Sequence, residues 1–194
     1  MFKKSMLLAV CCGIMVVAVE QSFAIRLLTK EEAIKGVFGP GAVVVVETKQ
    51  LKESHLAKVT ERMGGSLVSA QKGSKSSEVA AKTSYDFIFS MKDGKKDKVA
   101  IIDEEPGKWG PVEFIVAMDL KGAITRVDVL SYQEKRGQPI ARHSFMSQFE
   151  GKSSKDKIMV NKDINGVSGA TISSNCATFA VRKAIALYEE LYLK

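Results

Sequence analysis

Two successive β-hairpin patterns in the middle of the chain limit its fold more than any other feature. Strand-like residues 85–91 and 98–103 flank one glycine-containing turn, and residues 112–118 and 123–131 flank another. In the last of these strands apolar residues alternate with charged ones, which indicates one buried face. Antiparallel pairing is the natural arrangement, so we expect an antiparallel sheet.

The most regular helical pattern lies at the C-terminus. Its apolar residues recur every three or four positions, and its charged residues are expected to face away from them. A shorter helix is predicted over residues 139–149, and an extended stretch over 158–160. Sheet and helices together predict an α+β fold, an antiparallel sheet with packed helices. The apolar positions of the last helix are Cys176, Ala180, Ala184, Leu187 and Leu191, and the charged ones are Arg182, Lys183, Glu189 and Glu190.

The region before the hairpins predicts a small lead-in of helix, strand and helix. Thr29 and Glu32 fit a capping box for a helix that ends near Phe38. Residues 42–46 form an apolar strand pattern, and a second helix begins near Ser54. The polar residues 72–77 mark a junction, so the predicted division is a leader over 1–24, the lead-in over 25–78 and the main domain over 79–194.

The N-terminus has the layout of a secretory signal peptide. Lys3 and Lys4 precede an apolar run over residues 6–19, and a small-residue pattern ends at Ala24. The alternative, a membrane anchor, is disfavoured because the run has 14 residues, whereas a spanning helix needs about 20. We therefore expect cleavage after Ala24 and a periplasmic or otherwise extracytoplasmic protein.

Cysteine and histidine usage argues against several cofactors. Cleavage would remove Cys11 and Cys12 and leave Cys176, so no internal disulfide is expected. An iron–sulfur cluster or a c-type haem needs closely spaced cysteines, which the mature chain would lack. His55 and His143 have no neighbours at metal-ligand spacing, so no metal site is predicted.

The chain is basic, with a formal net charge of +7, and loss of Lys3, Lys4 and Glu20 with the leader would lower this to +6. Such a charge suits nucleic acid, but an exported chain rarely meets it. The alternation of basic and aromatic residues that single-strand binders use is also missing. We therefore expect no nucleic-acid partner. The lysines form a solvated face or, alternatively, a docking surface for an acidic redox partner.

A short turn of small and hydroxyl-bearing residues precedes the C-terminal helix pattern. Unpaired N–H groups and the positive end of the helix dipole favour an anion there. A glycine allows close backbone approach, and hydroxyl groups supply hydrogen bonds. The alternative is an ordinary N-cap, since helices prefer serine and threonine at that position. The residues predicted to bind a phosphate are Ser168, Gly169, Ala170, Thr171, Ser173 and Ser174.

The wider string over residues 163–174 resembles the attachment motif of the FMN-binding domain family. That family includes the flavin-bearing subunits of the sodium-pumping quinone reductase and of the Rnf complex, and the periplasmic flavin domain of the nitrous-oxide regulator. The resemblance continues through residues 107–111, 132–137 and 145–152, so it extends from about Tyr85 to the C-terminus.

The resemblance implies the fold of that family, FMN as the cofactor, and a phosphoester bond to Thr171. A Mg-dependent flavin transferase, which takes FMN from FAD, would form this bond. One position departs from the family pattern, because Asn165 stands where the family usually has aspartate and the nearby acid is Asp163. The acceptor hydroxyl of Thr171 is retained.

A flavin ring needs an apolar or aromatic wall and a few polar groups near its nitrogens and carbonyls. Trp109, the only tryptophan, is a candidate for that wall, and the alternative is ordinary loop packing. Glu134, Arg136 and Gly137 resemble the family's glutamate-containing loop beside the cofactor. The alternative interpretation is that these three residues form a solvated turn with a local ion pair.

Three functions fit these observations. The first is an extracytoplasmic electron-transfer flavoprotein that carries FMN on Thr171 and exchanges electrons with unidentified partners, for which a membrane-bound protein is a candidate. The second is a flavin-dependent reductase with its own small-molecule acceptor, although no dinucleotide-binding fingerprint is present. The third is a non-redox exported binding module that has lost the flavin, which Asn165 favours. We prefer a redox carrier to an independent catalyst.

Overall fold

The fold is built on one antiparallel sheet, whose four middle strands come from the two predicted hairpins. The computed structural model describes residues 24–74, 79–133 and 138–194, and within these ranges six strands pair in the order β1, β6, β5, β4, β3, β2. The strands are β1 Ile25–Arg26, β2 Val43–Gln50, β3 Ser84–Lys92, β4 Lys95–Pro106, β5 Pro111–Asp119 and β6 Ile124–Tyr132. The helices are α1 Lys30–Phe38, α2 Glu53–Arg62, α3 His143–Met146 and α4 Thr171–Tyr188, with short 3₁₀ turns at Gln138–Ala141 and Ser147–Phe149 and a π turn at Glu189–Leu193.

Both predicted hairpins are confirmed, and each turn has a clear local cause. Asp93 and Gly94 both have positive φ, the backbone that tight hairpin turns require, and aspartate and glycine tolerate it best. In the second turn, the carboxylate of Asp119 accepts hydrogen bonds from the backbone N–H groups of Lys121 and Ala123, both at 2.9 Å. These contacts fix the register of the central strands.

The N-terminal region supplies both edge strands of the sheet. The capping box between Thr29 and Glu32 is present and begins α1, as predicted. The apolar run that predicted a strand forms β2, which pairs along its whole length with β3. Because β2 lies at the edge, its valines are partly open to solvent, and Val43 is 67% exposed.

Helix α4 packs against one face of the sheet and is buried almost all round. Its prediction as a helix is confirmed, but the prediction that Lys183 and Glu190 face away is wrong, since both are buried. The reason is that α2 and the segment after it cover the outer side of α4. The opposite face of the sheet packs against Ala33 and Val37 of α1. None of the helices in the described ranges is long and apolar enough to cross a membrane.

Two predicted elements have a different local structure. The helix expected over residues 139–149 is broken, because Arg142 has an extended backbone between the first 3₁₀ turn and α3. Of residues 158–160, expected to be extended, Val160 forms a β-bridge with Ile164, and the stretch leads into a tight turn. There Ile158 has positive φ, and the carboxylate of Asp163 accepts hydrogen bonds from the N–H groups of Ile158 and Met159. Side-chain hydrogen bonding of this kind commonly overrides a strand pattern.

Candidate functional site

The predicted anion turn lies at the N-terminus of α4, with Thr171 as the first helical residue. The N-cap is Ala170, and no side chain accepts a hydrogen bond from the first turn, so the alternative of an ordinary serine or threonine cap is wrong. The first N–H groups of the helix therefore lack the side-chain acceptor that a cap supplies. Gly169 has φ +76°, a conformation that glycine adopts without strain.

The hydroxyl groups around this turn differ in exposure and in hydrogen bonding. Ser168 and Thr171 are exposed, and the Thr171 hydroxyl has no hydrogen-bond partner within the described ranges. Ser174 is buried, and its Oγ accepts from the N–H of Val167 at 3.1 Å and donates to the carbonyl of Ala170 at 3.0 Å. Ser173 is also buried. Ser174 thus holds the turn closed, and the part predicted for Ser173 and Ser174 in phosphate binding stays a prediction.

Asn165 precedes the turn before α4. Hydrogen bonds hold its backbone, and its side chain is exposed. Gln148 makes two hydrogen bonds to it, from the Asn165 N–H to Oε1 at 2.8 Å and from Nε2 to the Asn165 carbonyl at 3.2 Å. The nearby Asp163 is engaged in its own turn and with Lys152. Burial acts to raise the pKa of Asp163, but its backbone hydrogen bonds and Lys152 outweigh burial and lower it.

A cleft of about 310 Å³, here called the α4 cleft, lies along the helix below Thr171. Asn175, Thr178 and Arg182 line it, and they follow Thr171 at spacings that place all four residues on one face of α4. The opposite wall is the segment after α2, and Gln71 Nε2 ties this segment to the Ile172 carbonyl at 3.2 Å. The other lining residues are Met63, Gly64, Ser66, Val68, Ser69, Ala70, Met159, Val160 and Phe179.

Sequence reasoning missed the α4 cleft. The signal was present as polar residues at 171, 175, 178 and 182, which recur at helical spacing within a largely apolar helix. Such spacing marks one helix face. The opposite wall could not be predicted, because residues 63–71 have no periodic pattern and reach α4 only through the tertiary fold.

Arg182 lines both the α4 cleft and a neighbouring pocket that contains Asp156. Its Nε is buried and unpaired, and no ion pair reaches its guanidinium from the described residues. The guanidinium folds back over the ring of Phe179, with 5.6 Å from Cζ to the ring centroid. Burial lowers the pKa of Arg182, and nearby Glu105 acts to raise it. The cleft therefore contains a cation that forms no ion pair with any of the described residues.

A buried ion cluster holds the outer wall of the α4 cleft in place. Lys183 forms ion pairs with Glu105 and, at 2.6 Å, with Asp103 of β4. Its ammonium also donates to the Leu67 carbonyl at 3.1 Å, and the second oxygen of Glu105 accepts from the Ser69 N–H at 2.8 Å. Burial acts to lower the pKa of Lys183, but the two carboxylates raise it overall. The cluster thus links α4, β4 and the wall segment.

Trp109, another of the predicted residues, lies at the end of the sheet where α4 begins. Helix α4 runs antiparallel to β4, since Lys183 pairs with the C-terminal half of β4 and Tyr192 lies 5.4 Å from the ammonium of Lys96. The loop after β4 therefore shares an end of the fold with Thr171. Trp109 in this loop is 40% exposed and lies under the Lys108 ammonium at 5.3 Å. The predicted residues Glu134, Arg136 and Gly137 lie outside the described residues.

The described residues contain no group of histidine, cysteine, aspartate or glutamate side chains that could hold a metal ion. The site is instead built from an exposed hydroxyl at a helix N-terminus, a cleft along the same helix face, and an unpaired cation. This arrangement suits an anionic group joined to a planar, partly apolar one.

Comparisons with known proteins agree with this description. Residues 107–186, which include Trp109, the turn before α4 and most of the helix, match the family model of the FMN-binding domain. Among solved structures, the crystal structure of Shewanella oneidensis NqrC superposes with a TM-score of 0.53 at 16% sequence identity, and the match covers 88% of this chain and 92% of that chain. No curated protein has a sequence that matches.

The fold and the matched segment define an α+β flavin-binding protein. Residues 107–186 match the FMN-binding domain, as the resemblance predicted, and the cofactor of this domain is FMN.

Proposed function

We propose that this protein is an extracytoplasmic electron-transfer flavoprotein whose FMN is bound through its phosphate to Thr171. The observation that carries the proposal is the position of Thr171, which has an exposed hydroxyl at the N-terminus of α4 and lies on the same face as the α4 cleft. Attachment at this residue would hold the FMN phosphate at the N-terminus of the helix.

The turn fits a phosphate, and it fits a phosphodiester equally well. The first N–H groups of α4 and the helix dipole favour negative charge, which a phosphodiester retains. In the attachment reaction, the Thr171 oxygen bonds to the FMN phosphorus of FAD, the pyrophosphate bond breaks and AMP leaves. The hydroxyl proton passes to a base of the flavin transferase, which is the first partner that the proposal requires.

The α4 cleft fits the flavin ring. Phe179, Met63 and Val160 supply aromatic and apolar walls, and Gln71 and Asn175 supply amide groups. Ligand pockets typically combine such walls with a few polar groups that set orientation. Trp109 lies in the exposed loop at the same end of the fold, and its contact with the ring stays a prediction. Bound FMN would supply the redox chemistry, and these residues are candidates to hold its ring.

The extracytoplasmic location is supported by the leader over residues 1–24, and covalent attachment suits an exported protein because the cofactor cannot diffuse away. An electron carrier needs a donor and an acceptor. We propose a redox partner of this kind, for which a membrane-bound protein is a candidate.

The test is expression of the full chain in cells that export it and contain a flavin transferase. We expect flavin fluorescence that remains on the denatured protein band, and an intact mass that shows both loss of residues 1–24 and addition of one FMN. Thr171→Ala should give a dark band, while Ser168→Ala is the matched control because it removes a neighbouring exposed hydroxyl and leaves the acceptor. An equally bright Thr171→Ala band would show that Thr171 is not the attachment residue.

A further inference from the structure

A second pocket, here called the basic pocket, adjoins the α4 cleft and shares Arg182 with it. It has a volume of about 250 Å³ and lies between the end of α2, the turn over residues 153–158 and the second half of α4. Part of its lining is apolar and buried, and Ile158 and Ile185 belong to this part. The proposed attachment at Thr171 uses none of the residues that line the basic pocket.

Three cationic side chains line the basic pocket, and two of them have no anionic partner among the described residues. Arg182 and Lys157 form no ion pair there, and the Nε of Arg182 is buried without a hydrogen bond. The third cation, Arg62, pairs with Glu189 at 2.6 Å. A half-buried guanidinium without an acceptor is unfavourable, because burial removes water and leaves its donors unpaired. The basic pocket therefore offers positive charge to a ligand.

Asp156 is the carboxylate in the lining, and it is engaged in its own turn. Its Oδ2 accepts hydrogen bonds from the N–H of Ser153 at 2.9 Å and from the Ser153 hydroxyl at 3.3 Å. No ion pair joins Asp156 to a cation within the described ranges. Together with the Glu189 carboxylate beside Arg62, Asp156 balances two of the three cations, so one positive charge remains in excess.

The donors that remain fit a phosphate group. Arg182 comes from α4, while Lys157 and the exposed hydroxyl of Ser154 come from the turn, so the donors belong to two separate elements. A carboxylate presents its two oxygens in one plane, whereas a phosphate monoester presents three oxygens that point in different directions. An arginine fork binds two such oxygens, and a lysine binds as a point charge. Because the basic pocket is smaller than the pockets of drug-sized ligands, the rest of the ligand must be short.

We propose that the basic pocket binds the phosphate group of a small phosphate monoester, with Arg182 as its main contact and the apolar lining against the carbon atoms of the ligand. This site is separate from the turn before α4. Arg182 follows Thr171 by eleven residues, which is about 16 Å along the helix axis at roughly 1.5 Å per residue. The two sites can therefore be occupied together, and the basic pocket does not depend on the proposed attachment of FMN.

The experiment is a titration of the isotope-labelled full chain with glycerol phosphate, followed by the NMR shifts of the backbone amides. We expect saturable shifts at residues 153–158 and around Arg182, and sodium chloride at the same ionic strength should not reproduce them. Arg182→Gln should weaken binding about tenfold or more, since it removes charge-assisted hydrogen bonds to the phosphate. Arg142→Gln is the matched control, because Arg142 is an exposed arginine outside the basic pocket.

Thr171→Ala distinguishes the basic pocket from the turn before α4, since this variant should bind glycerol phosphate as wild type does. Lys157→Glu keeps the proposal testable if Arg182→Gln does not fold, because Lys157 is exposed. It should also weaken binding, whereas Lys162→Glu, which changes an exposed lysine outside the basic pocket, should not. Shifts confined to residues 168–174 would overturn the proposal, and so would equal affinities of wild type, Arg182→Gln and Lys157→Glu.

Discussion

Lys183 and Glu105 form an ion pair inside the core, between the helix that begins at Thr171 and the fourth strand of the sheet. Lys183 is 3% exposed and Glu105 is fully buried. The same two side chains bind the backbone of Leu67 and Ser69, which belong to the outer wall of the α4 cleft. The packing of the core and the shape of the cleft therefore depend on the same contacts.

The first prediction concerns Lys183→Met. This change leaves Glu105 buried without its cation, while Asp103 keeps its ion pair with Lys82, and breaking a buried pair in this way costs about 3–5 kcal/mol. Denaturant unfolding measures the effect. The control is Lys58→Met, which removes an exposed lysine whose partner Glu190 still pairs with Lys194. We expect the control to cost no more than about 1 kcal/mol, and a similar loss in both variants would contradict the structural role of Lys183.

The second prediction concerns pH. Burial raises the pKa of Glu105 from 4.5 to about 7, although Lys183 opposes the shift. The folded state therefore binds a proton more tightly than the unfolded state, and the free energy of unfolding should fall as pH rises from about 4.5 to 7. At 1.36 kcal/mol per pKa unit, the decrease from this group is up to about 3 kcal/mol.

Glu105→Gln separates this effect from other titrations. Glutamine has no proton to lose in this range, so the variant should lack this part of the decrease. Denaturant unfolding of wild type and Glu105→Gln at several pH values checks the difference between them. A difference that stays constant from pH 4.5 to pH 7 would show that Glu105 does not titrate there.

The third prediction compares two serines of the turn before α4. Ser174→Ala removes a buried hydroxyl and leaves the Val167 N–H without its partner, while the Ala170 carbonyl still accepts from the backbone N–H of residue 174, and the loss should cost about 1–3 kcal/mol. Ser168→Ala changes an exposed side chain and should stay within about 0.5 kcal/mol of wild type. Thermal or denaturant unfolding of the two proteins checks the difference. Equal stabilities would contradict the assignment of Ser174 as the residue that holds the turn.

The parts of this fold that local patterns determine could be predicted from the sequence. The hairpins follow from alternating strands and from turn residues such as Asp93 and Gly94, and α1 follows from the capping box at Thr29. The position of each strand within the sheet could not be predicted in the same way. The valines of β2 lie at an exposed edge, although a run of apolar residues is equally compatible with a buried strand.

In the candidate site too, some features follow from the local sequence and others only from the tertiary fold. The helix start at Thr171 could be predicted from neighbouring residues, because the signals for it are local, and the role of Thr171 as acceptor stays a prediction. Arg182 and Lys183 were both expected to face away from the core, since charged residues usually lie on the exposed side of a helix. Their actual environments depend on β4 and on residues 63–71, which come together with α4 only in the folded chain.

The last prediction concerns Asn165, which occupies the position where the family usually has aspartate. Gln148 fixes the backbone of Asn165, and the side chain is exposed, so its chemistry can change without disturbing the fold. We expect Asn165→Asp to increase the fraction of protein that carries covalent FMN during coexpression with a flavin transferase, because the enzyme then meets the family's usual acid beside the acceptor threonine. Its stability should stay within about 0.5 kcal/mol of wild type.

The measurement is flavin fluorescence per amount of denatured protein, taken early enough that attachment to wild type is incomplete. Asn161→Asp is the matched control, since Asn161 is also exposed and precedes the motif. An increase for Asn165→Asp alone would mean that the transferase reads this position, and that Asn165 slows attachment without preventing it. If neither variant differs from wild type, the acid is dispensable. The acceptor Thr171 and the turn held by Ser174 are then enough for recognition, and Asn165 no longer favours a protein that has lost its flavin.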